Sequence, residues 1–277
     1  MKDILIITVN YKNTSVTNNF IKSIENIDYS DRVQLVILDN EATDKSRGAI
    51  KDAIKNSPIA IKDFYSARNL YYWGGVAHVL DKLAIDFDSQ PPIWIIVCNN
   101  DIIFKDKSIL KKLLQNNAEK YTILAPSIIS SKTGKDLNPY MLKQLGIIGK
   151  IYYKIFYLNH ISALLIYTIR RIVKKIISQR KKSISRTKHR IYAPHGAFMI
   201  FSFQYFIKGG FIDNNFTLYG EELTIAETAK ILDFDVVYTP ALKVIHVEHS
   251  STDKRSWKNW FDHSKASYKY IKSAYFN

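Results

Sequence analysis

The stretch "IWIIVCNNDIIF", residues 93–104, decides the fold class of this chain. Its unbroken apolar run is typical of a strand that is buried on both faces, as strands of parallel sheets are. The run ends at Asn99, Asn100 and Asp101, and burying such groups costs free energy unless they leave the core or meet a partner. The sequence therefore predicts a central strand whose carboxyl end presents polar groups at the edge of the core.

Strand-like and helix-like patterns alternate around this stretch. The predicted strands are residues 4–9, 33–40, 61–67, 93–99 and 122–126. The predicted helices are residues 17–27, 44–56, 74–86 and 108–119, and Asp44 is the predicted cap of the second helix. This order indicates an α/β fold in which helices flank a mostly parallel, doubly wound central sheet.

Polar side chains follow four of the predicted strands. They are Asn10 and Tyr11, Asp39 and Asn40, Arg68 and Asn69, and Asn99, Asn100 and Asp101. Each residue alone is ordinary for a loop, but the carboxyl ends of parallel strands meet in space, and ligands of such sheets bind there. The sequence therefore predicts a shared crevice that Asp101 faces.

The composition is typical of a soluble globular protein. The chain has 277 residues, of which 47% are apolar, and this is enough for a sizeable core. Its one cysteine, Cys98, cannot form an internal disulfide, so we expect a reduced core residue in a cytosolic protein. The apolar run near the N-terminus is too short for a signal peptide, and no run reaches the ~18 to 20 residues of a spanning helix.

The formal net charge of +15 belongs to one segment rather than to the whole chain. Residues 137–212 contain no Asp or Glu, and thirteen Lys and Arg residues lie between residues 143 and 190. In "YTIRRIVKKIISQRKK", residues 167–182, apolar and basic pairs alternate at helical spacing, which predicts an amphipathic helix. We expect residues 145–188 to lie on an anionic membrane surface. The alternative is a helical hairpin that packs on the domain or on a second subunit.

Seven segments carry a resemblance to a known family. In chain order they are "ITVNYKNTSVTNNFIKSI", "VILDNEATDKS", "ARNLYYWGGVAHVL", "CNNDIIF", "PHGAFMIFS", "GGFIDNNFTLYGEELTIAETAK" and "YTPALKVIHVEHSS". Together they resemble family 2 glycosyltransferases of the GT-A fold, close to the bacterial rhamnosyltransferase-like branch. The resemblance implies one GT-A domain with a donor-binding half at residues 1–140, a basic amphipathic helical insertion at 141–190, and an acceptor-binding and catalytic half with a C-terminal helix at 191–277.

The resemblance implies a metal site for the diphosphate of a nucleotide-sugar donor. A divalent cation offsets the charge of a departing diphosphate, which protein carboxylates would repel. The "NND" segment resembles the DXD-type motif of the family, so Asp101 is the expected metal ligand, and His246 matches a late histidine of the family. A single carboxylate suits Mn2+ or Mg2+, which keep waters and phosphate oxygens as ligands, and the imidazole favours Mn2+.

The resemblance also implies contacts to the donor and the acceptor. The expected donor-binding residues are Asn10, Tyr11, Asp39, Arg68, Asn69, Gly75 and Asn100, and the expected acceptor-binding residues are His195, Gly196 and Trp73. Asp39 would accept a hydrogen bond from the pyrimidine of the donor, and Tyr11 would flank that base. A glycine pair that includes Gly75 would let a helix start approach an anion closely. Trp73 would stack on a sugar, although a core tryptophan is an equal alternative.

The acidic pair in "YGEELTIAETAK" resembles the catalytic motif of the family. An inverting transfer needs a base that takes the proton of the acceptor hydroxyl, and Glu222 is the expected base. The family usually has Asp at that position, so Glu221 stays an alternative, and so does a structural role of both acids at the helix dipole. A family-typical arginine is absent from this helix, where Lys230 is its nearest counterpart.

The sequence thus predicts an inverting glycosyltransferase on the cytoplasmic face of the plasma membrane. It would move a sugar from a UDP- or dTDP-sugar to a hydroxyl of a lipid-linked glycan in O-antigen or capsule synthesis, and a homo-oligomer stays open. A nucleic-acid-binding protein is a rival hypothesis, but it would leave Asp101, Glu222 and His246 without a purpose, so we expect no nucleic acid among the partners. A nucleotide-binding oxidoreductase is disfavoured because no G-x-G-x-x-G follows the first strand.

Overall fold

The computed structural model of the protein describes residues 2–87, 89–176, 187–248 and 256–276, and it describes residues 173–176 by their backbone alone. The strands are β1 Ile4–Tyr11, β2 Val33–Asn40, β3 Ala60–Ser66, β4 Trp94–Asn99, β5 Ile102–Ile103, β6 Ile123–Ser130, β7 His189–Ile191, β8 Phe198–Ser202 and β9 Val236–His246. The helices are α1 Thr14–Glu25, α2 Asp44–Lys55, α3 Tyr71–Leu83, α4 Ile109–Leu114, α5 Ile147–Phe156, α6 His160–Ile176, α7 Phe203–Ile207, α8 Glu221–Ile231 and α9 Trp257–Tyr275. The part of the predicted basic segment at residues 177–186 lies outside the described residues.

The nine strands of the described chain form one sheet in the order β3-β2-β1-β4-β8-β6-β9-β5, and β7 pairs with β9. Strands β3, β2, β1 and β4 are parallel, as are β6 and β9, whereas β8 runs antiparallel between β4 and β6. The predicted α/β fold with a mostly parallel central sheet is confirmed. The first four strands therefore end at one edge, where Asn10 aligns with Asp39 and Val9 aligns with Asn99.

Helices cover both faces of this sheet, which explains the unbroken apolar runs of its strands. Successive side chains of β1 point to opposite faces. On one face Ile6 belongs to the same buried cluster as Phe20 of α1, and on the other face Ile7 belongs to the same buried cluster as Val76 of α3. Burial of each such side chain contributes roughly 1.5–3 kcal/mol, so both faces of the sheet stabilise the edge at which the polar residues gather.

Several helix termini differ from the prediction, and the largest difference at an end is that of α4, which ends at Leu114 rather than at residue 119. Helix α1 begins at Thr14 and α3 begins at Tyr71, each three residues before the predicted start. The N-cap of α2 is Thr43, whose hydroxyl accepts a hydrogen bond from the backbone N–H of Ser46 (3.1 Å), so the prediction of Asp44 as the cap is wrong. The hydroxyl of Ser46 in turn accepts a hydrogen bond from the backbone N–H of Thr43 (2.9 Å), which makes a reciprocal capping box.

Gly75 lies inside α3 rather than at its start, so the expected approach of a helix terminus to the donor at this residue is wrong. A Cβ atom at Gly75 would lie 2.8 Å from Cδ2 of Leu38 and 3.1 Å from Cγ2 of Val9. Real side chains essentially never come that close. Glycine at this position therefore lets α3 pack directly on β1 and β2.

Trp73 lies in the core, so the expected contact with the acceptor sugar is wrong. Its side chain is 0% exposed and belongs to the buried cluster that also contains Val76 and Met199. Because α3 begins at Tyr71, the helical turn that carries Trp73 faces the sheet, and Tyr71 and Tyr72 line the cavity described below instead.

The two adjacent glycines of α3 make a matched pair for a stability test. Gly75→Ala should lower the free energy of unfolding by about 1–3 kcal/mol, since the added methyl overpacks the contact with Leu38 and Val9. Gly74→Ala should raise it by about 0.5–1 kcal/mol, because the nearest atom to its Cβ is 3.9 Å away and alanine favours the helix. Urea unfolding of both variants checks the pair. Equal effects of the same sign would show that Gly75 is not a packing contact.

Helices α5 and α6 form a hairpin, which we call the α5–α6 hairpin, and it packs against α9. Phe156 of α5, Ala163 of α6 and Phe261 of α9 are buried together. The outer face of the hairpin exposes large apolar side chains, such as Ile148 at 85% and Ile161 at 71%. No helix of the described residues is long and apolar enough to span a bilayer.

The two ends of the segment that contains the α5–α6 hairpin are fixed to the same side chain of α8. The amide of Gln144, just before α5, donates to Oε1 of Glu227 (2.7 Å). The hydroxyl of Tyr192, just after β7, donates to the same oxygen. Glu227 is 2% exposed, so its carboxylate takes part in a buried network that holds the segment on α8.

Candidate active site

A cavity of about 470 Å³ lies at the carboxyl ends of β1 and β4. The first turn of α8 and the end of β9 complete its walls. Nine of the predicted site residues line it, namely Tyr11, Asn69, Asn100, Asp101, His195, Gly196, Glu221, Glu222 and His246. The other five, Asn10, Asp39, Arg68, Trp73 and Gly75, are not among its lining residues. The strand-end crevice that the sequence predicts is thus present, but five of the residues that were expected to line it do not.

Asp101 and His246 meet at one wall of this cavity. The chain turns after β4 and pairs β5 with the end of β9, so that Ile102 aligns with His246. Nε2 of His246 lies 3.0 Å from Oδ1 of Asp101, and Asp101 is 7% exposed. This contact is an ion pair when the imidazole is protonated, and Nδ1 of His246 is buried and makes no hydrogen bond to any described part of the chain. Because burying a polar atom without a partner is costly, the pair points to a ligand that would complete its contacts.

A divalent cation suits the carboxylate of Asp101 and the imidazole of His246, which lie side by side. A carboxylate oxygen and an imidazole nitrogen are donors that Mn2+ accepts, and Mg2+ takes the carboxylate. Within the described chain no group of three His, Cys, Asp or Glu side chains could hold a metal. Asp101 and His246 would therefore supply two ligands, and waters and ligand oxygens would complete the shell.

Asn10 and Asp39 stand behind the cavity wall, so the expected direct contacts of these two residues with the donor are not supported. Asn100 donates to the hydroxyl of Thr17 (2.8 Å), and that hydroxyl donates to Oδ1 of Asn10 (2.8 Å). Nδ2 of Asn10 donates to Oδ1 of Asp39 (2.7 Å), and the hydroxyl of Ser46 donates to Oδ2 of Asp39 (2.6 Å). Both carboxylate oxygens of Asp39 thus have partners inside the protein, and the chain of hydrogen bonds orients Asn100 in the cavity wall.

Asn40 holds the loop after β3. This residue was predicted at the end of a strand, but no ligand contact was assigned to it. Nδ2 of Asn40 donates to Oδ1 of Asn69 (2.9 Å), and Oδ1 of Asn40 accepts from the backbone N–H of Leu70 (2.8 Å). These bonds fix Asn69 and Tyr71 in the lining. Arg68 is exposed and lies outside the lining, so the expected contact of Arg68 with the donor is not supported.

Glu221 and Glu222 are the first two residues of α8, and both line the cavity. Oε2 of Glu221 accepts from the backbone N–H of Gly220 (2.8 Å), and Oε1 of Glu222 accepts from the backbone N–H of Gly196 (3.1 Å). A Cβ atom at position 196 would lie 3.0 Å from Oε1 of Glu222, so glycine makes this close contact possible. Burial raises the pKa of both carboxyls, and the charge of Glu222 raises the pKa of Glu221 further. Both are therefore stronger bases than an exposed glutamate.

His195 is neutral at physiological pH and its tautomer is defined. Burial, and next the neighbouring His246, lower the pKa of His195 to about 4. Its Nδ1 accepts a hydrogen bond from the backbone N–H of Ala197 (3.1 Å), so the proton of the neutral ring is on Nε2. The backbone N–H of His195 donates to Oδ1 of Asn138 (2.8 Å), which fixes the loop beside Gly196. His195 therefore offers a ligand a neutral N–H donor.

The charges around the cavity favour a cation. Its lining contains the carboxyls of Asp101, Glu221, Glu222 and Glu248, and Lys132 is the one Lys or Arg among the lining residues described. Carboxylates at short range repel an anionic ligand, and a divalent cation between them reverses the sign of that interaction.

Some lining residues gave no signal in the sequence. Tyr71, Tyr219 and Glu248 have φ angles of 58°, 65° and 58°, a left-handed conformation that non-glycine side chains rarely adopt. Such strained residues cluster at functional sites. No glycine or asparagine marks these positions, so composition and periodicity could not have found them. Lys132 follows β6 in a turn that ends at Gly134, which is a signal for a loop but not for a site.

The fold is that of the GT-A class of α/β proteins. Two solved structures share the fold. One is the mannosyltransferase PcManGT from Pyrobaculum calidifontis in complex with GDP-Man and Mn2+, with 14% identity, a TM-score of 0.53, and coverage of 94% of this chain and 59% of that one. The other is GalNAc-T7 with UDP, GalNAc and Mn2+, with 11% identity, a TM-score of 0.61, and coverage of 98% of this chain and 48% of that one. The chain thus spans about half of the length of these proteins, and at these identities the likeness concerns the fold.

The sequence itself gives the family. The model of glycosyl transferase family 2 matches residues 3–209, so the chain belongs to glycosyl transferase family 2. No curated protein matched the chain. The matched range includes Asp101, His195 and Gly196 but ends before Glu221, Glu222 and His246. The roles of the last three residues therefore depend on the geometry described above.

Proposed function

We propose that this protein is a metal-dependent, inverting glycosyltransferase that uses a nucleoside-diphosphate sugar. The observation that carries the proposal is one cavity that is lined both by the buried Asp101–His246 pair and by the acidic pair Glu221–Glu222. Two proteins of the same fold bind a nucleotide or nucleotide sugar together with Mn2+, which supports the same ligand class here. We take UDP- or dTDP-sugars as the donors, as in the rhamnosyltransferase-like branch.

On the donor side, the chain positions the diphosphate. Asp101 and His246 would hold Mn2+ or Mg2+, which supplies positive charge to the leaving diphosphate. Tyr11 and Asn69 line the end of the cavity near β1 and β3, where the base of the nucleotide would bind. Lys132 adds a cation on the same lining. Asn100 is oriented by the hydrogen-bond chain through Thr17.

On the acceptor side, Glu222 is the proposed base. It takes the proton of the acceptor hydroxyl as that oxygen attacks the anomeric carbon, and the bond to the diphosphate breaks on the opposite face of the sugar, which inverts the anomeric centre. Burial raises the pKa of Glu222, which makes its carboxylate a stronger base than that of an exposed glutamate. The N–H of Gly196 holds its carboxylate, and the Nε2–H of His195 is available to a sugar oxygen.

We further propose that the acceptor is a lipid-linked glycan of a surface polysaccharide and that the protein is peripheral on the cytoplasmic face of the membrane. The exposed isoleucines of the α5–α6 hairpin and its exposed Lys and Arg residues support this proposal, since each basic residue near an anionic surface contributes about 1 kcal/mol. The division into the ranges 1–140, 141–190 and 191–277 stays a prediction. Binding to phosphatidylglycerol vesicles should exceed binding to phosphatidylcholine vesicles, and equal binding would contradict the surface assignment.

A donor screen tests the proposed activity. The melting temperature of the full chain should rise with UDP- or dTDP-sugars in the presence of Mn2+ and should rise less when EDTA replaces the metal, because binding to the folded state stabilises it. ADP-ribose and NAD are the matched controls for a different nucleotide-binding class. A shift with NAD, or a donor shift that is the same with and without metal, would contradict the proposal.

A further inference from the structure

A second cavity of about 610 Å³ lies between the α5–α6 hairpin, α9 and the first turn of α8. Aromatic and aliphatic side chains dominate its lining, among them Tyr152, Phe156, Tyr157, Leu223 and Trp260. A cavity of this volume with an apolar lining is of the size that binds a small molecule or a short length of lipid chain. The function proposed for the first cavity does not use this second cavity.

Every formally charged residue of this lining is a cation. Lys150, Lys154, Arg170 and Lys272 line the cavity, and no Asp or Glu is among the lining residues of the described chain. All four side chains are exposed, so their charged groups lie at the rim while the interior is apolar. The charge complementarity is therefore with an amphiphile that has an apolar body and an anionic end.

The second cavity adjoins the first one beside the acids. Tyr219 lines both cavities, and Leu223 of the second cavity follows Glu222 on α8. Tyr140 also lines the second cavity, and its ring lies edge-on to the ring of His195 with centroids 6.0 Å apart. The charge of Glu222 raises the pKa of Tyr140, which shows that the two groups are near each other. A molecule that fills the second cavity therefore ends next to the proposed base.

We propose that the second cavity binds the carrier of the acceptor, an apolar chain that ends in a phosphate or diphosphate, and presents the attached sugar to Glu222 past Tyr219. The apolar chain lies among the aromatic side chains, and the phosphate contacts the cations of the rim. This inference rests on the proposed function, in that it names the substrate class of the acceptor side. It differs from membrane binding by the outer face of the α5–α6 hairpin, because Ile148 and Ile161 of that face are not in this lining.

Two pairs of cations, each with one residue on α6 and one on α9, provide the test. Arg170 and Lys272 line the cavity, whereas Arg171 and Lys269, on the same two helices, are exposed and do not line it. The double variants Arg170→Gln/Lys272→Gln and Arg171→Gln/Lys269→Gln remove the same charge from the same helices. Isothermal titration of the full chain with farnesyl phosphate, below its micellar concentration and without donor or metal, measures the affinity. Farnesol and inorganic phosphate serve as the two partial ligands.

Substitution of the lining pair should weaken farnesyl phosphate binding by about tenfold or more, since hydrogen bonds to a charged group are lost. Substitution of the control pair should leave the affinity unchanged. Farnesol and inorganic phosphate should each bind much more weakly. Equal losses in both pairs would reduce the effect to general surface charge and overturn the inference. Absence of farnesyl phosphate binding, or a dimer in light scattering that only the lining pair dissociates, would overturn it as well. Because the assay contains no donor, its outcome is independent of the metal-dependent donor binding that tests the proposed function.

Discussion

Asp101→Asn should abolish metal-dependent donor binding and lower the rate of sugar transfer by roughly 10²–10³-fold or more. Asparagine keeps the shape of the side chain but removes the negative charge of the group that lies 3.0 Å from Nε2 of His246. The metal would then keep one protein ligand, and the leaving diphosphate would face the remaining carboxyls of the cavity without a cation. Donor titrations with and without Mn2+ and initial rates measure both effects.

The stability of this variant separates loss of the metal from loss of the fold. The amide keeps the shape of the side chain and its oxygen can still accept a hydrogen bond from Nε2–H of His246, so the melting temperature of Asp101→Asn without metal should stay close to that of the unmodified chain. Asp106→Asn is the matched control, because Asp106 lies outside the cavity lining and pairs with Lys112 (2.6 Å). It should leave donor binding and transfer unchanged. A normal response of Asp101→Asn to Mn2+ would end the metal assignment.

Glu222→Gln should lower the turnover number by roughly 10²–10⁴-fold, the usual contribution of a general base, and should leave the dissociation constant of the donor unchanged. The amide can still accept the hydrogen bond from the N–H of Gly196, so the loop geometry is preserved while the proton acceptor is lost. The rate for the unmodified chain should fall as the pH is lowered through the raised pKa of this carboxyl, because the base must be ionised to act. A donor dissociation constant that rises with the loss of turnover would move Glu222 to the donor side.

Glu221→Gln is the comparison that identifies the base. Each acid has one oxygen that accepts a backbone N–H, but Glu221 is buried at 8% exposure whereas Glu222 is only half-buried, so substitution of Glu221 should reduce turnover less than substitution of Glu222. Burial and the charge of Glu222 raise the pKa of Glu221 above its unfolded value, so its ionisation makes the fold less stable as the pH rises through that interval. The stability of Glu221→Gln should therefore exceed that of the unmodified chain at alkaline pH. The opposite order of turnover losses would assign the base to Glu221.

The sequence predicted the parallel half of the sheet because each of its strands is buried on both faces. Ile6 and Ile7 pack on different layers, and such a strand shows as an unbroken apolar run. The start of α3 was harder to predict. The two glycines gave the only local signal for a helix start, but the helix begins earlier, at Tyr71, which has a left-handed conformation. Gly75 is required by the close packing of α3 on β2, and no local sequence pattern encodes that contact.

Because the carboxyl ends of parallel strands meet in space, the sequence correctly predicted that Asp101 lies at the edge of the sheet where the cavity is. The sequence could not decide which of the polar residues at that edge face the ligand. Asn10 and Asp39 have the same sequence pattern as Asn100, and only the positions of Thr17 and Ser46 direct them inward. The second cavity was out of reach for a different reason. It joins residues near positions 140–170, 219–223 and 260–276, and contacts between such distant segments follow from tertiary packing rather than from local composition.

The shared attachment of Gln144 and Tyr192 to Glu227 gives the segment with the α5–α6 hairpin a modular character. The chain enters and leaves this segment at residues that bind the same side chain of α8, the helix that carries Glu221 and Glu222. The stretch between these residues can therefore be lengthened, shortened or exchanged while the geometry of the acids is retained. Evolution could therefore vary which molecules receive the sugar without redesigning the transfer chemistry. A chimera that carries the corresponding segment of a relative would show this if its donor affinity stayed the same, and a loss of donor affinity would show that the two parts are not separable.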